Sequence, residues 1–128
     1  MNLSEDTIKQ IESAEHKALA TSCSGEINVV PVSVLHVVGD SIWLYDFFMD
    51  KTAKNVCALP SAALALWHDM EGVQVKGTVS YQVSGEDFEK AKEWAKENFP
   101  ERTLKGLLVF APESVYELTP GAAGKKLD

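Results

Sequence analysis

A lysine and a threonine stand side by side where a short helix-like segment begins. They are Lys51 and Thr52, and the segment covers residues 52–59 until Pro60 ends it. The start of a helix offers unpaired backbone N–H groups and the positive end of the helix dipole, and a threonine hydroxyl there can cap the helix. Together with the lysine charge, these groups suit a phosphate. The alternative is a surface loop followed by a capped helix without a ligand.

Two aromatic residues and a methionine precede this pair. Phe47, Phe48 and Met49 follow Asp46, after a strand-like run at residues 41–45, and they fall on a predicted loop. Such side chains would give an apolar cover to a flat ring bound next to the phosphate. Taken alone, this stretch favours the surface loop and capped helix; a site for a ring-bearing phosphate is the functional interpretation.

The longest strand-like run covers residues 27–38 and is rich in β-branched residues. Both of its alternating sets are largely apolar, which predicts a strand covered on both faces. Pro31 lies in the middle and cannot donate a hydrogen bond to a neighbouring strand, so an edge or a bulge is predicted there. The broken ladder leaves backbone groups that can face a ligand. An ordinary edge-strand proline explains the same residue equally well.

The remaining pattern predicts short strands around two further helices. Strands are predicted at residues 17–23, 41–45, 62–68, 73–84, 107–111 and 114–118, and helices at residues 4–15 and 86–98. Ser4 is expected to cap the first helix, and Ser84 with Asp87 the last one. Gly77 interrupts an alternating strand, which predicts a bend or a close backbone approach. The elements indicate one domain over residues 1–128, with a flexible tail at residues 121–128.

Composition narrows the functional classes. The 128 residues carry a formal net charge of −7, which argues against non-specific binding to nucleic acid or to an anionic membrane. Cys23 and Cys57 have no metal-type spacing and are interpreted as small hydrophobes in a reducing cell, and the three histidines are scattered, so no metal site is expected. No signal peptide or membrane-spanning run is visible, so a cytoplasmic protein is expected.

Four segments resemble the FMN-binding split-barrel family of the pyridoxamine phosphate oxidase type, especially its short members. They are ALATS (18–22), VVPVS (29–33), DKTAKNV (50–56) and VQVKGTV (73–79), and their order and spacing carry the resemblance from about residue 17 to residue 118. The resemblance implies a mainly β fold, a six-stranded antiparallel split barrel with peripheral helices. It also implies a homodimer with FMN in clefts at the subunit interface.

The same resemblance implies which residues contact the cofactor. Lys51 and Thr52 match the positions that hold the FMN phosphate, and Gln74 matches a position near the phosphate or the ring edge. The strand along the isoalloxazine ring and the loop beside the flavin supply the other predicted contacts, namely Val30, Pro31, Val32, Asp46, Phe47, Phe48 and Met49.

The expected function is that of an FMN-binding redox protein, with no catalytic side chain assigned. Oxidation of pyridoxamine phosphate is not expected, because Arg102 is the one arginine and the oxidase binds its substrate phosphate with cationic residues that include an arginine near its C-terminus. Two classes stay open. One is an electron-transfer or flavin-carrier protein; the other is a flavin-dependent reductase or oxidase with a nicotinamide or protein electron donor. Deazaflavin or haem in the same cleft, a related oxidase, and a cofactor-free dimeric barrel are the alternatives.

Overall fold

Seven antiparallel strands form one sheet in the computed structural model, which describes residues 2–49, 51–58 and 60–127, apart from the side chains of Lys51 and Cys57. The strands are β1 (His16–Cys23), β2 (Glu26–Pro31), β3 (Leu35–Val38), β4 (Ser41–Asp46), β5 (Ser61–His68), β6 (Glu71–Gln82) and β7 (Gly106–Glu117). Their order across the sheet is β2-β1-β5-β6-β7-β4-β3. The prediction of a mainly β, antiparallel fold is confirmed.

The longest predicted strand is in fact two strands. β2 ends at Pro31, and the next three residues cross from one edge of the sheet to the other before β3 begins. At one side of the crossing, the Val32 amide donates to the Lys17 carbonyl over 2.9 Å; at the other, the Tyr45 amide donates to the Val34 carbonyl over 3.2 Å. The crossing joins the two edge strands of the sheet, as in a split barrel. The break at Pro31 was predicted, but the change of partner strand was not.

The last two predicted strands are, conversely, one strand. β7 continues through Pro112 because a bulge lies there: Gly77 is opposite Pro112 and Lys76 is opposite Ser114, which leaves Glu113 as the extra residue. A proline is tolerated at a bulge, where its missing N–H breaks no ladder. The described chain has seven strands, whereas the resemblance implied six. The sequence pattern also predicted seven segments, because the division of the long run and the joining of the last two segments offset each other.

Gly77 makes the close approach that its position predicted. A Cβ atom built on it would overlap the carbonyl oxygen of Ala111 on the neighbouring strand. The bulge and this contact bend β6 and β7 together, so the site requires a residue without a side chain.

Three helices pack on the sheet within the described residues: α1 (Glu5–Ser13), α2 (Lys51–Ala58) and α3 (Glu86–Asn98). Ser4 caps α1 as predicted, since its Oγ accepts a hydrogen bond from the Thr7 amide over 3.2 Å. α3 has the predicted bounds, but the predicted capping box is wrong, because Gly85 is the N-cap and makes no side-chain cap bond. Ser84 therefore lies one residue before the N-cap position. No helix in the described ranges is long and apolar enough to cross a bilayer.

The hydrophobic core has two parts on opposite faces of β4, whose side chains alternate between them. Ile42 and Leu44 point into the barrel interior. Trp43 and Tyr45 join a second cluster that α3 covers. The alternation places Tyr45 and the loop after β4 between α3 and the barrel wall.

The C-terminal residues fold back along β7. The Leu127 amide donates to the Val115 carbonyl over 2.7 Å, and the Glu117 amide donates to the Lys125 carbonyl over 2.8 Å. Lys126 forms an isolated β-bridge with Tyr116. The flexibility expected of this tail stays a prediction.

Candidate functional site

A cleft of about 360 Å³ lies where the crossing between β2 and β3 meets the loop after β4. Pockets that bind small molecules span roughly 300 to 1,000 Å³ and are mostly apolar with a few polar groups. This cleft has that character, and its described lining residues are Val30, Pro31, Val32, Ser33, Tyr45, Phe47, Phe48, Met49 and Thr52.

Seven of the ten residues predicted to contact a cofactor line this one cleft. They come from two segments far apart in sequence and from the start of α2, and they are Val30, Pro31, Val32, Phe47, Phe48, Met49 and Thr52. Asp46 and Gln74 lie elsewhere, and the Lys51 side chain lies outside the described residues. Their roles toward a cofactor stay predictions.

Thr52 supplies a buried hydroxyl at the beginning of α2. It is only 1% exposed, and its Oγ1 accepts a hydrogen bond from Asn28 Nδ2 over 2.8 Å. Asn55, on the same side of α2, donates in turn to Thr21 Oγ1 over 3.1 Å. A hydroxyl that accepts from an amide can still donate its own proton. Thr52 can therefore donate to an anion beside the backbone N–H groups of the helix start.

Asp46 anchors the loop instead of facing the cleft. Its carboxylate is fully buried; Oδ1 accepts from the Met49 amide over 2.7 Å, and Oδ2 accepts from the Tyr81 hydroxyl over 2.6 Å. These two bonds offset the cost of burying the carboxylate. They also fix the turn that presents Phe47 and Phe48 to the cleft.

Arg102 packs against the back of the same loop. Its guanidinium carbon lies 5.3 Å from the ring centroid of Phe47, 5.6 Å from that of Phe48 and 4.6 Å from that of Phe99. These distances suit cation–π attraction. Arg102 Nη1 is buried and has no hydrogen-bond partner among the described residues. The sequence marked Arg102 only as the single arginine, because this packing requires contacts across the fold.

A tyrosine–histidine pair was also missed. The Tyr45 hydroxyl lies 3.2 Å from His36 Nδ1, and burial raises the pKa of Tyr45 above its usual value. The His36 ring meets the Trp94 ring edge-on at a centroid distance of 4.4 Å. A signal existed in the sequence: the turn at residues 39–40 sets His36 opposite Trp43, and Tyr45 is then its diagonal neighbour.

Gln74 lies in the middle of β6, away from the lining of the cleft. It is half-buried and stands between Ala65 of β5 and Tyr116 of β7. Lys76 follows on the same face, and its Nζ lies 5.1 Å from the ring centroid of Tyr116. Within one chain, Gln74 therefore does not join the other predicted contact residues.

The fold and the cleft define a split-barrel protein with a ligand site beside the strand crossing. A family model described as pyridoxamine 5′-phosphate oxidase matches residues 4–122. The chain therefore belongs to the pyridoxamine 5′-phosphate oxidase family, and the resemblance carried by the four sequence segments is confirmed.

One relative and two solved structures are similar to this chain over most of its length. The protein MJ0282 of Methanocaldococcus jannaschii is 31% identical over 132 residues, which cover 99% of this chain and 88% of that protein. The crystal structure of HupZ from Group A Streptococcus has a TM-score of 0.83 at 20% identity, covering 94% of this chain and 98% of HupZ. The crystal structure of an FMN-binding protein from Syntrophomonas wolfei has a TM-score of 0.78 at 24% identity, covering 90% of this chain and 85% of that protein. These structures share the fold.

Proposed function

We propose that this chain binds FMN in the cleft between the strand crossing and the loop after β4, and that it acts in redox chemistry on an unidentified small molecule. The observation that carries the proposal is the convergence of seven predicted contact residues on one cleft in a family member. A structural relative named as an FMN-binding protein adds support.

The residues present fit a flavin. Phe47, Phe48 and Met49 offer an apolar wall to the ring. β2 pairs only with β1 among the described strands, so part of its backbone toward Pro31 has no strand partner and can meet the polar ring edge. The Thr52 hydroxyl and the backbone N–H groups at the start of α2 suit the phosphate. When bound, the flavin supplies the one- or two-electron chemistry.

The proposal includes a homodimer that completes the site. The cleft is open and lies near the lower end of the usual volume range, and β2 beside it exposes large apolar side chains. Ile27 is 79% exposed and Val29 is 63% exposed. A second copy of the chain seated on β2 would bury these side chains and supply the missing wall of the cleft.

The proposal does not extend to oxidation of pyridoxamine phosphate. Bidentate recognition of a substrate phosphate is a task for arginine. Neither arginine nor lysine contributes a described side chain to the lining, and Arg102 packs behind the loop. A nicotinamide or a protein is the proposed electron donor, and the acceptor is a small molecule without such a phosphate.

Quenching of flavin fluorescence tests the proposal. Added FMN should be quenched by the protein and saturate at equimolar flavin and chain, with FAD, riboflavin, a deazaflavin and haem as competitors. Phe48→Ala should weaken FMN and riboflavin alike, since it removes a ring from the cleft wall. Val83→Ala is the control, because Val83 is 63% exposed and does not line the cleft. Failure of FMN to be quenched would contradict the proposal.

A further inference from the structure

Tyr45 is the one ionisable side chain among the described residues that line the cleft. It is 3% exposed, and the hydrogen-bond partner of its hydroxyl is His36 Nδ1, at 3.2 Å. A buried tyrosine hydroxyl needs a partner, and a backbone carbonyl would serve a structural role. Here the partner is instead an imidazole, the side chain that exchanges protons most readily near neutral pH.

The surroundings of the pair are aromatic. Phe47 stacks on Tyr45 at 6.3 Å between ring centroids, and Trp94 of α3 lies 5.1 Å from Tyr45. Two charged groups of the adjoining segments have other partners. The Asp46 carboxylate binds Tyr81 and a backbone amide, and Arg102 lies over the rings of Phe47, Phe48 and Phe99. His36 is thus the group placed to exchange a proton with Tyr45.

His36 also connects the pair to the outside of the barrel. It lies on β3, an edge strand of the described sheet, and is only half-buried. Tyr45 is one of the residues that line the cleft. A single hydrogen bond therefore links a cleft-lining residue to a half-buried histidine on an edge strand.

We propose that Tyr45 donates a proton to a small molecule reduced in the cleft and that His36 restores that proton from solvent. This inference rests on the proposed function, in which a reduced flavin, when bound, would supply two electrons and one proton to the acceptor. The Tyr45 O–H bond breaks as its proton passes to a heteroatom of the acceptor. The phenolate oxygen then regains a proton through His36 Nδ1, and the imidazole recovers that proton from water. The acceptor gains two electrons and two protons in total.

The pair bears on whether the protein is an enzyme or a carrier. Electron transfer alone has no use for a proton donor in the cleft, whereas reduction of a quinone, a carbonyl or a similar electrophile does. General acid catalysis contributes about 10² to 10⁴ in rate. A tyrosine hydroxyl carries its proton at neutral pH, since its usual pKa is about 10, so Tyr45 is in the form that can donate.

Two acceptors with different proton requirements provide the test. The FMN-loaded protein is reduced anaerobically with dithionite and mixed with ferricyanide, which takes one electron and no proton, or with menadione, which takes two electrons and two protons. Tyr45→Phe and His36→Gln should each slow the menadione reaction by about 100-fold, the lower end of general acid catalysis, and leave the ferricyanide reaction unchanged. Tyr116→Phe, the same change at a tyrosine outside the cleft, should alter neither rate.

The outcomes separate this inference from the function on which it rests. The proton-transfer proposal is overturned if Tyr45→Phe and His36→Gln both reduce menadione at the wild-type rate while their FMN binding and ferricyanide rates are normal. The proposed function would then still stand. Equal slowing of the menadione and ferricyanide reactions would also overturn the proposal, because it would indicate a general loss of electron transfer. Failure of the wild type to bind FMN would overturn the proposed function itself. The hydroxyl–imidazole contact is tested without flavin, since Tyr45→Phe should move the ¹⁵N resonance of His36 Nδ1; an unmoved resonance would contradict the contact.

Discussion

Replacing Asp46 with asparagine tests how the cleft loop is held. The carboxylate accepts two hydrogen bonds in a fully buried position, from the Met49 amide and from the Tyr81 hydroxyl. Asparagine has nearly the same shape but removes the charge and one acceptor. A hydrogen bond to a charged group contributes roughly 1.5 to 3 kcal/mol and a neutral one roughly 0.5 to 1.5, so two bonds lose about 2 kcal/mol between them.

This loss should appear in equilibrium unfolding. A decrease of about 2 kcal/mol corresponds to a fall in Tm of roughly 6 to 8 °C for a domain of this size. Urea titration followed by circular dichroism gives the free energy of unfolding directly. FMN should also bind more weakly to Asp46→Asn, because Phe47 and Phe48 lose their fixed position on the turn.

Asp69→Asn is the matched control. Its carboxylate is 84% exposed and forms a surface pair with His68 at 3.3 Å. Surface pairs contribute about 0 to 1 kcal/mol, and asparagine suits the positive φ of 52° at this residue. Asp69→Asn should therefore stay within about 0.5 kcal/mol of the wild type. The account of the loop is refuted if Asp46→Asn is as stable as this control.

Three further predictions address the phosphate end, the bulge and the buried tyrosine. Lys51→Ala combined with Thr52→Ala should weaken FMN by at least about tenfold and riboflavin far less, because only FMN carries the phosphate; equal losses would place the phosphate elsewhere. Gly77→Ala should lower the free energy of unfolding by about 1 to 3 kcal/mol, since its methyl group would overlap the Ala111 carbonyl, and an unchanged urea midpoint would show that the strands can separate there. The raised pKa of Tyr45 contributes stability that is present below the usual tyrosine pKa of about 10 and lost as pH rises through the higher folded-state value. Thermal unfolding between pH 8 and pH 11 should therefore show a steeper loss in the wild type than in Tyr45→Phe, and parallel curves would argue against that shift.

Local patterns predicted the features that depend on neighbouring residues. The missing donor of Pro31 indicated the break that ends β2, and the position of Gly77 in an alternating strand indicated the close approach to Ala111. The helix predicted at residues 86–98 has the bounds of α3, although the capping box predicted at its start is wrong. Each of these depends on backbone chemistry that one short segment contains.

Features that depend on contacts between distant segments could not be predicted from the sequence. Pro112 was predicted to end a strand. The strand continues through it because a bulge forms opposite Gly77, which is far away in sequence. Asp46 reads as a loop residue near a ligand, and only its buried partner Tyr81 shows that it is an anchor. The same holds for Arg102, whose ring contacts come from two separate segments.

The site itself was predictable in part. The residues on β2 and on the loop converge because the family's fold brings these two segments together, and the resemblance carried that information. Gln74 does not join them within one chain, since β6 places it between β5 and β7. Its predicted contact with the cofactor therefore depends on the second copy in the proposed homodimer.

The most direct test of the central claim is the visible spectrum of the protein after incubation with FMN and gel filtration. We predict that the yellow flavin absorbance elutes with the protein, at equimolar FMN and chain and at the volume of a dimer. Complete separation of the flavin from a colourless protein would contradict the assignment of the cleft as an FMN site.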